Sequence, residues 1–141
     1  DRTVKEFLCF KLGNEEYGID VSLAKEIIKN RAITEVPKTM NFILGVISIR
    51  GEVIPVFDLK KILDIETDVI AITAKIIIID YNGEKVGLLV DSISQISKIP
   101  NDAIEATPIN LTGAKQEFIK GVAMIDGKMI RILDIEKILN F

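Results

Sequence analysis

The sequence contains no histidine and no tryptophan, and only one cysteine occurs among its 141 residues. Without histidine, the chain has neither imidazole ligands for a metal nor a Ser/His or Cys/His catalytic pair. A single cysteine excludes a disulfide within the chain and fits a reducing compartment. The formal net charge of −3 argues against a nucleic-acid partner, because nucleic acid binds to basic surfaces.

Long hydrophobic runs are also missing. The longest uncharged apolar stretch extends from Phe42 to Ile49 and ends at Arg50. A membrane-spanning helix needs about 18 apolar residues, so we expect no direct insertion into a membrane. The chain starts at Asp1 without the charged and apolar regions of a signal peptide, and none is expected. With 48% hydrophobic and 6% aromatic residues, the sequence predicts a compact aliphatic core.

An internal repeat organises the chain. When the sequence is shifted by 76 positions, Phe42–Leu63 aligns with Phe118–Leu139 without a gap, and 11 of the 22 pairs are identical. Chance would give roughly 2 identities. At an offset of 69, Glu15–Ile19 resembles Glu84–Leu88 more loosely.

The repeat predicts how the domain is built. A unit of roughly 70 residues buries little core by itself, so the two copies are expected to pack on each other. We predict a single domain, residues 1–141, with a first copy at about 5–70 and a second at about 71–141. An exchange of terminal elements between the copies is left open.

Each copy shows five short strand patterns, which predict an all-β protein. Asn82–Gly83, Arg50–Gly51 and Asp126–Gly127 are placed as two-residue hairpin turns. Five short strands with tight turns favour a closed or nearly closed barrel in each copy. The expected strands are Phe7–Leu12, Glu16–Val21, Lys25–Lys29, Val46–Ile49 and Glu52–Phe57, then Lys75–Asp80, Lys85–Val90, Ser94–Lys98, Val122–Ile125 and Lys128–Leu133.

Candidates for catalysis have simpler explanations. Asp58 and Asp134 each precede a short run of helix formers, where an aspartate caps the first turn. A hydrolase using such carboxylates as acid and base is the alternative function class. Cys9 lies in an apolar strand and is interpreted as a buried, inert thiol. Glu15–Glu16 lies in a turn region and is interpreted as a solvated charge pair. We therefore expect no enzyme, no catalytic residue, no metal site and no cofactor.

Two positions break the repeat in the first copy alone. Arg50 occupies the turn position held by Asp126 in the second copy, although aspartate tolerates the positive φ of a type I′ turn better. Pro55 lies opposite Arg131 and predicts a sheet edge or strand end, because proline cannot donate to a ladder. A local rule broken in one copy hints at function, while an ordinary solvated arginine is the alternative.

The stretch Phe42–Leu59 resembles the signature of the CheW-like coupling proteins of bacterial chemotaxis. The similarity comprises a Gly-Val pair, the Arg50–Gly51 turn and an Ile-Pro-Val strand that ends in Asp-Leu, whereas Ser48–Ile49 replaces the usual Asn-Leu. Further segments that resemble the family are Glu15–Asp20, Glu26–Ile27, Val36–Pro37 and Val86–Asp91.

The resemblance implies a fold and a function. The family folds as two SH3-like five-stranded barrels around a shared apolar seam and has no enzymatic activity. It is an adaptor that links methyl-accepting chemoreceptors to the histidine kinase CheA and supports kinase activation in receptor arrays. A cytoplasmic protein recruited to membrane receptor arrays is implied, as is self-association in rings. The alternative is a homologous module cut from a larger chemotaxis protein, either the regulatory domain of the kinase or a receiver-fused coupling protein.

The resemblance also implies a binding surface for the cytoplasmic tip of the receptor. Carried over by position, it comprises Glu26, Ile43, Gly45 and Arg50 on the first barrel, with Lys75, Gly87 and Ile96 further along a groove near the seam. A helix in an apolar groove is the expected mode of binding, with charges at the rim setting its register. The residues that contact the regulatory domain of the kinase are not assigned.

Overall fold

The computed structural model describes residues 3–37, 40–66, 71–109, 111 and 115–140. Ten strands and two short α-helices lie within them, which confirms the all-β class. Among these residues, no helix has the length and apolar character that crossing a bilayer requires. The strands are β1 (Val4–Leu12), β2 (Glu15–Asp20), β3 (Ala24–Lys29), β4 (Ile43–Ile49), β5 (Glu52–Asp58), β6 (Lys75–Tyr81), β7 (Glu84–Val90), β8 (Ser92–Pro100), β9 (Ile119–Ile125) and β10 (Lys128–Leu133); the helices are α1 (Leu59–Ile62) and α2 (Ile135–Leu139).

The strands form two five-stranded sheets, with orders β3-β6-β7-β5-β4 and β8-β1-β2-β10-β9. A backbone bridge draws the two ends of each sheet together. Thr34, after β3, exchanges two hydrogen bonds of 2.9 Å with Val46 of β4, and Glu105, after β8, does the same with Val122 of β9 at 2.8 and 2.9 Å. Each sheet therefore curls into a nearly closed barrel. The first barrel consists of β3–β7, and the second barrel consists of β1, β2 and β8–β10.

Each barrel combines strands from both copies of the sequence repeat. The β6–β7 hairpin lies in the first barrel, with β7 parallel to β5, and the β1–β2 hairpin lies in the second, with β2 parallel to β10. The chain thus crosses between barrels after β2 and again after β7. The boundary expected near residue 70 adjoins residues 67–70, which lie outside the described residues.

Three apolar clusters hold the fold together: the interiors of the two barrels and the seam between them. In β6, Ile76 and Ile78 face the interior of the first barrel, whereas Ile77 and Ile79 face the seam. Strands buried on both faces read as unbroken apolar runs. The seam also receives Leu8, Phe10, Leu12, Tyr17, Phe57, Leu88 and Leu133, so both sheets share it, as the fold prediction requires.

The predicted two-residue turns have the expected backbone. Both residues of each turn have positive φ, as type I′ turns require. Arg50 therefore occupies a conformation that favours glycine, asparagine or aspartate. The φ values are 48° and 81° at Arg50 and Gly51, 53° and 83° at Asn82 and Gly83, and 50° and 79° at Asp126 and Gly127.

Pro55 does not mark a sheet edge, because β5 lies between β7 and β4. Pro55 faces Val46, but Val46 exchanges its backbone hydrogen bonds with Thr34 instead. On its other side, β5 pairs with β7 only from Val56 onward. The missing N–H of proline therefore removes no ladder bond, which explains an interior proline that the sequence pattern does not anticipate.

Cys9 is fully buried inside the second barrel, and this burial raises the pKa of its thiol. A thiol that is both inaccessible and protonated reacts slowly. We expect the native chain to resist iodoacetamide at pH 8, and the urea-unfolded chain to take up one alkyl group, as measured by intact-mass spectrometry. Equal alkylation rates in the two states would contradict an inert core thiol.

Candidate functional site

Glu26 and Arg50 form a bidentate ion pair at one end of the first barrel. The Nη2 atom of Arg50 lies 2.5 Å from Oε1 of Glu26, and Nη1 lies 3.2 Å from Oε2. Glu26 is on β3 and Arg50 is in the turn between β4 and β5. Because β3 and β4 are the outermost strands of this sheet, the ion pair joins its two ends.

The ion pair remains open to water. The side chains of Arg50 and Glu26 are 69% and 32% exposed. The hydrogen bond from Arg50 lowers the pKa of Glu26, and the same bond raises the pKa of Arg50, so both groups are charged at neutral pH. Exposed pairs of this kind contribute little to stability. The guanidinium carries more N–H donors than the two used here, so it can also bind a partner.

The second barrel has no such ion pair at the equivalent place. Gln95 faces Cys9 in the register that Glu26 has with Ile78, and Asp126 holds the turn position of Arg50. The amide of Gln95 donates to the Ser97 hydroxyl at 2.9 Å instead. A polar cavity of about 390 Å³ lies beside Gln95 and Asp126. Within the described residues, the ion pair of Glu26 and Arg50 is therefore a property of the first barrel. We call this end of the first barrel the charged rim.

Ile43 and Gly45 lie on β4 of the first barrel. Ile43 is partly buried and packs against the seam cluster. Gly45 is buried, with φ of 146°, and a Cβ built on it would lie 2.1 Å from the carbonyl oxygen of Thr34. The bridge between Thr34 and Val46 needs this close approach of two backbones. Gly45 therefore contributes through its backbone, because the absence of a side chain lets the segment around Thr34 lie against β4.

The three remaining residues of the binding surface expected from the sequence are spread more widely. Lys75 is half-buried on β6, and Gly87 is buried on β7, where an added Cβ would lie 2.9 Å from Cγ2 of Ile76. Ile96 is 56% exposed on β8 of the second barrel. Six of the seven expected residues thus lie on the first barrel and one on the second.

One further exposed side chain was missed by the sequence reasoning. Ile27, next to Glu26 on β3, is 42% exposed. It pairs with Ile77 as Ile96 pairs with Leu8, so Ile27 and Ile96 are equivalent positions of the two barrels. The offset of 69 residues between the copies contains this signal, because it aligns Ile27 with Ile96.

The aspartates considered for catalysis are helix caps, as expected. Oδ1 of Asp58 accepts from the N–H of Lys60 at 3.2 Å, and Oδ1 of Asp134 accepts from the N–H of Lys137 at 3.3 Å. In the part of the chain that the structure describes, no group of three or more Cys, Asp or Glu side chains could hold a metal ion.

The expectation of a solvated charge pair at Glu15–Glu16 was wrong for Glu16. Glu16 is only 7% exposed. Its two carboxylate oxygens accept from the Ser94 hydroxyl at 3.0 and 2.9 Å. Burial is tolerated because a hydrogen-bond donor from β8 reaches the charge.

Comparison with known proteins shows that the chain is similar to chemotaxis proteins. Residues 6–141 match the model of the CheW-like domain. The chain is 31% identical over 136 residues to the chemotaxis protein CheW of Klebsiella aerogenes, covering 96% of this chain and 82% of that one. It is 35% identical over 139 residues to the chemotaxis protein CheW of Thermotoga maritima, covering 97% of this chain and 90% of that one.

A solved structure shows the same architecture. The crystal structure of the scaffolding protein TtCheW from Thermoanaerobacter tengcongensis matches with a TM-score of 0.87 and 36% identity, over 96% of this chain and 88% of that chain. The prediction of two SH3-like five-stranded barrels around a shared seam is confirmed by this match together with the two observed sheets.

Proposed function

The chain belongs to the CheW-like domain family and is a chemotaxis adaptor that couples chemoreceptors to the histidine kinase CheA, and we propose that it does so without catalysis, through the rim of the first barrel. The named relatives favour this adaptor over a regulatory module taken from a larger chemotaxis protein. The proposed receptor-binding residues are Glu26, Ile43, Gly45, Arg50, Lys75, Gly87 and Ile96.

The ion pair between Glu26 and Arg50 carries this proposal. Arg50 adopts a φ of 48°, which is unfavourable for arginine, in a turn where the other barrel has Asp126. Its exposed ion pair gives little stability in return. Backbone strain that stabilises nothing is typical of a functional position.

The side chains of this region support the binding of a helix. Ile27 is an exposed apolar side chain on the strand that carries Glu26, and the charged rim lies beside it. Helices dock in grooves through apolar side chains, and charges at the border fix register and orientation. The receptor tip, a helical hairpin in this family, is the proposed occupant.

Control of the kinase then follows from binding alone. An adaptor that holds receptor and kinase together raises their local concentration and biases the conformational equilibrium of the kinase. We propose that the chain acts in the cytoplasm and joins membrane arrays through these two contacts. Two similar barrels in one chain also allow head-to-tail docking, which generates rings or open arrays, and self-association in rings is the arrangement that we propose.

The Arg50→Glu variant tests the proposed surface. It places two carboxylates together at the rim and reverses the charge that a receptor meets there. We expect receptor-dependent activation of the kinase to fall at least about tenfold, because like charges brought together at an interface are strongly unfavourable. The measurement is autophosphorylation of the kinase with receptor-containing membranes and added adaptor.

Two controls accompany this variant. The circular dichroism spectrum and melting temperature should match those of the unmodified chain, since the pair is exposed. Asp126→Arg places an arginine at the equivalent turn of the second barrel and should leave activation unchanged. Full activation by a folded Arg50→Glu variant would remove the rim from the receptor-binding surface.

A further inference from the structure

Two lysines face each other across neighbouring strands of the first barrel. Lys29 at the end of β3 is directly opposite Lys75 at the start of β6 in the antiparallel register. Like charges at directly opposite positions destabilise a sheet. Among the residues that the structure describes, neither ammonium group has an anionic partner in an ion pair.

The second barrel shows the arrangement without this conflict. The positions equivalent to Lys29 and Lys75 are Lys98 on β8 and Glu6 on β1, which are paired in the same antiparallel register. An opposite-charge pair therefore fits this place in the fold. The first barrel alone places two positive charges there, on the barrel that also carries the charged rim.

The two lysines share a face with an exposed apolar side chain. Alternate residues of a strand point to the same side, so Lys29 lies on the face of Ile27, and Lys75 on the face of Ile77. Ile77 is fully buried in the seam cluster, whereas Ile27 is 42% exposed. This face is the outside of the first barrel: the seam covers it at Ile77, and it is open to a partner at Ile27.

The spacing on this face matches one turn of a helix. Residues two apart on a strand are separated by about 6.6 Å, and one helical turn rises by about 5.4 Å. A helix that lies along β3 can therefore cover Ile27 with an apolar side chain and place a second side chain, one turn further on, at Lys29 and Lys75.

We propose that Lys29 and Lys75 form a carboxylate-binding site for the chemoreceptor helix, which carries an aspartate or glutamate one turn from the apolar side chain that covers Ile27. This inference rests on the proposed function and specifies the chemistry of the partner. The incoming carboxylate relieves the repulsion between the lysines and adds the negative charge that Glu6 places opposite Lys98 in the second barrel. The repulsion is thus a local instability that receptor binding removes.

Lys75→Glu separates binding from stability. It reproduces in the first barrel the opposite-charge pair of the second, so the melting temperature should be unchanged or higher. Affinity for chemoreceptors in lipid nanodiscs should nevertheless fall at least about tenfold, since the partner's carboxylate now meets a like charge. Binding should also depend less on salt concentration. An unchanged affinity would overturn the inference.

The matched control is Glu6→Lys, which creates the like-charge pair in the second barrel. It should lower the melting temperature and leave receptor affinity unchanged, the reverse of Lys75→Glu. A loss of CheA binding rather than receptor binding in Lys75→Glu would assign the site to the kinase and overturn the inference.

The same nanodisc assay with Arg50→Glu separates this inference from the proposed function. If Arg50→Glu loses receptor binding and Lys75→Glu keeps it, the rim stands and the carboxylate site falls. If both variants bind as the unmodified chain does, the proposed receptor-binding surface is itself wrong.

Discussion

Gly45→Ala is expected to lower the free energy of unfolding by about 3 kcal/mol or more. A Cβ at this position would lie 2.1 Å from the carbonyl oxygen of Thr34 and 2.7 Å from its carbonyl carbon. Both are backbone atoms, so no side-chain rotation relieves the clash. The segment around Thr34 must move away from β4, which breaks its two hydrogen bonds to Val46. Urea denaturation followed by circular dichroism measures the loss.

Gly51→Ala is the matched control for this variant. Gly51 also has a positive φ, 81°, but an added Cβ would meet no atom within 4 Å. Its replacement should cost only the conformational strain of about 1 kcal/mol. Equal losses in the two variants would show that strain alone, and not closure of the first barrel, requires glycine at position 45.

Asp91→Ala is expected to destabilise the chain by about 3 kcal/mol, because it removes the carboxylate from a buried ion pair. Nζ of Lys60 lies 2.7 Å from Oδ1 of Asp91, and the lysine side chain is only 8% exposed. Oδ2 of Asp91 accepts from the N–H of Gly13 at 2.7 Å. The variant thus removes the Asp91 carboxylate from a buried ammonium, and urea denaturation at pH 7 reports the cost.

Lys60→Met should cost less than Asp91→Ala. Asp91 keeps the hydrogen bond from Gly13 in this variant, and 17% of its side chain reaches water. The double variant should be no less stable than Asp91→Ala alone, since the buried lysine that lost the Asp91 carboxylate is also gone. Additive losses would contradict the assignment of a coupled pair.

This ion pair also joins parts of both barrels. Asp91 lies where the chain passes from β7 to β8, and Gly13 is in the β1–β2 turn of the second barrel. Lys60 is on α1, which directly follows β5 of the first barrel. Its contacts therefore link the two barrels at the crossing. The hydroxyl of Thr73 adds a hydrogen bond of 2.7 Å to the carbonyl oxygen of Asp91.

Local features of the fold could be predicted because they depend on neighbouring residues. The turn at Asn82–Gly83 is encoded by two residues with a preference for positive φ. The caps at Asp58 and Asp134 follow from the helix formers after them. Strand positions follow from short apolar runs between such signals.

The pairing of strands could not be predicted in the same way. Residues Ile76–Ile79 are buried on both faces, so their pattern does not say which barrel they join. The charge of Glu16 predicts exposure, and its donor Ser94 lies 78 residues away. Pro55 is tolerated because β5 pairs with β7 only from Val56 onward, and no local sequence pattern predicts where that pairing begins.

The candidate site shows the same division. The repeat identified Arg50 as unusual, but its contact with Glu26 spans 24 residues and depends on curling of the sheet. The lysine pair is still harder to predict from the sequence, since Lys29 and Lys75 face each other only in the observed register. Sequence indicates which residues are exceptional, and tertiary structure decides which of them meet.

The interleaving of the barrels has a consequence for synthesis on the ribosome. The strands of the first barrel are contiguous in the chain, from Ala24 to Val90, and can assemble as soon as β7 emerges. The β1–β2 hairpin emerges earlier, yet Gly18 must wait for Ile132 before β2 and β10 can pair. At about 5–20 residues per second, this delay is on the order of ten seconds. A nascent chain with uncovered apolar strands for that long is a natural client for chaperones that bind near the exit tunnel.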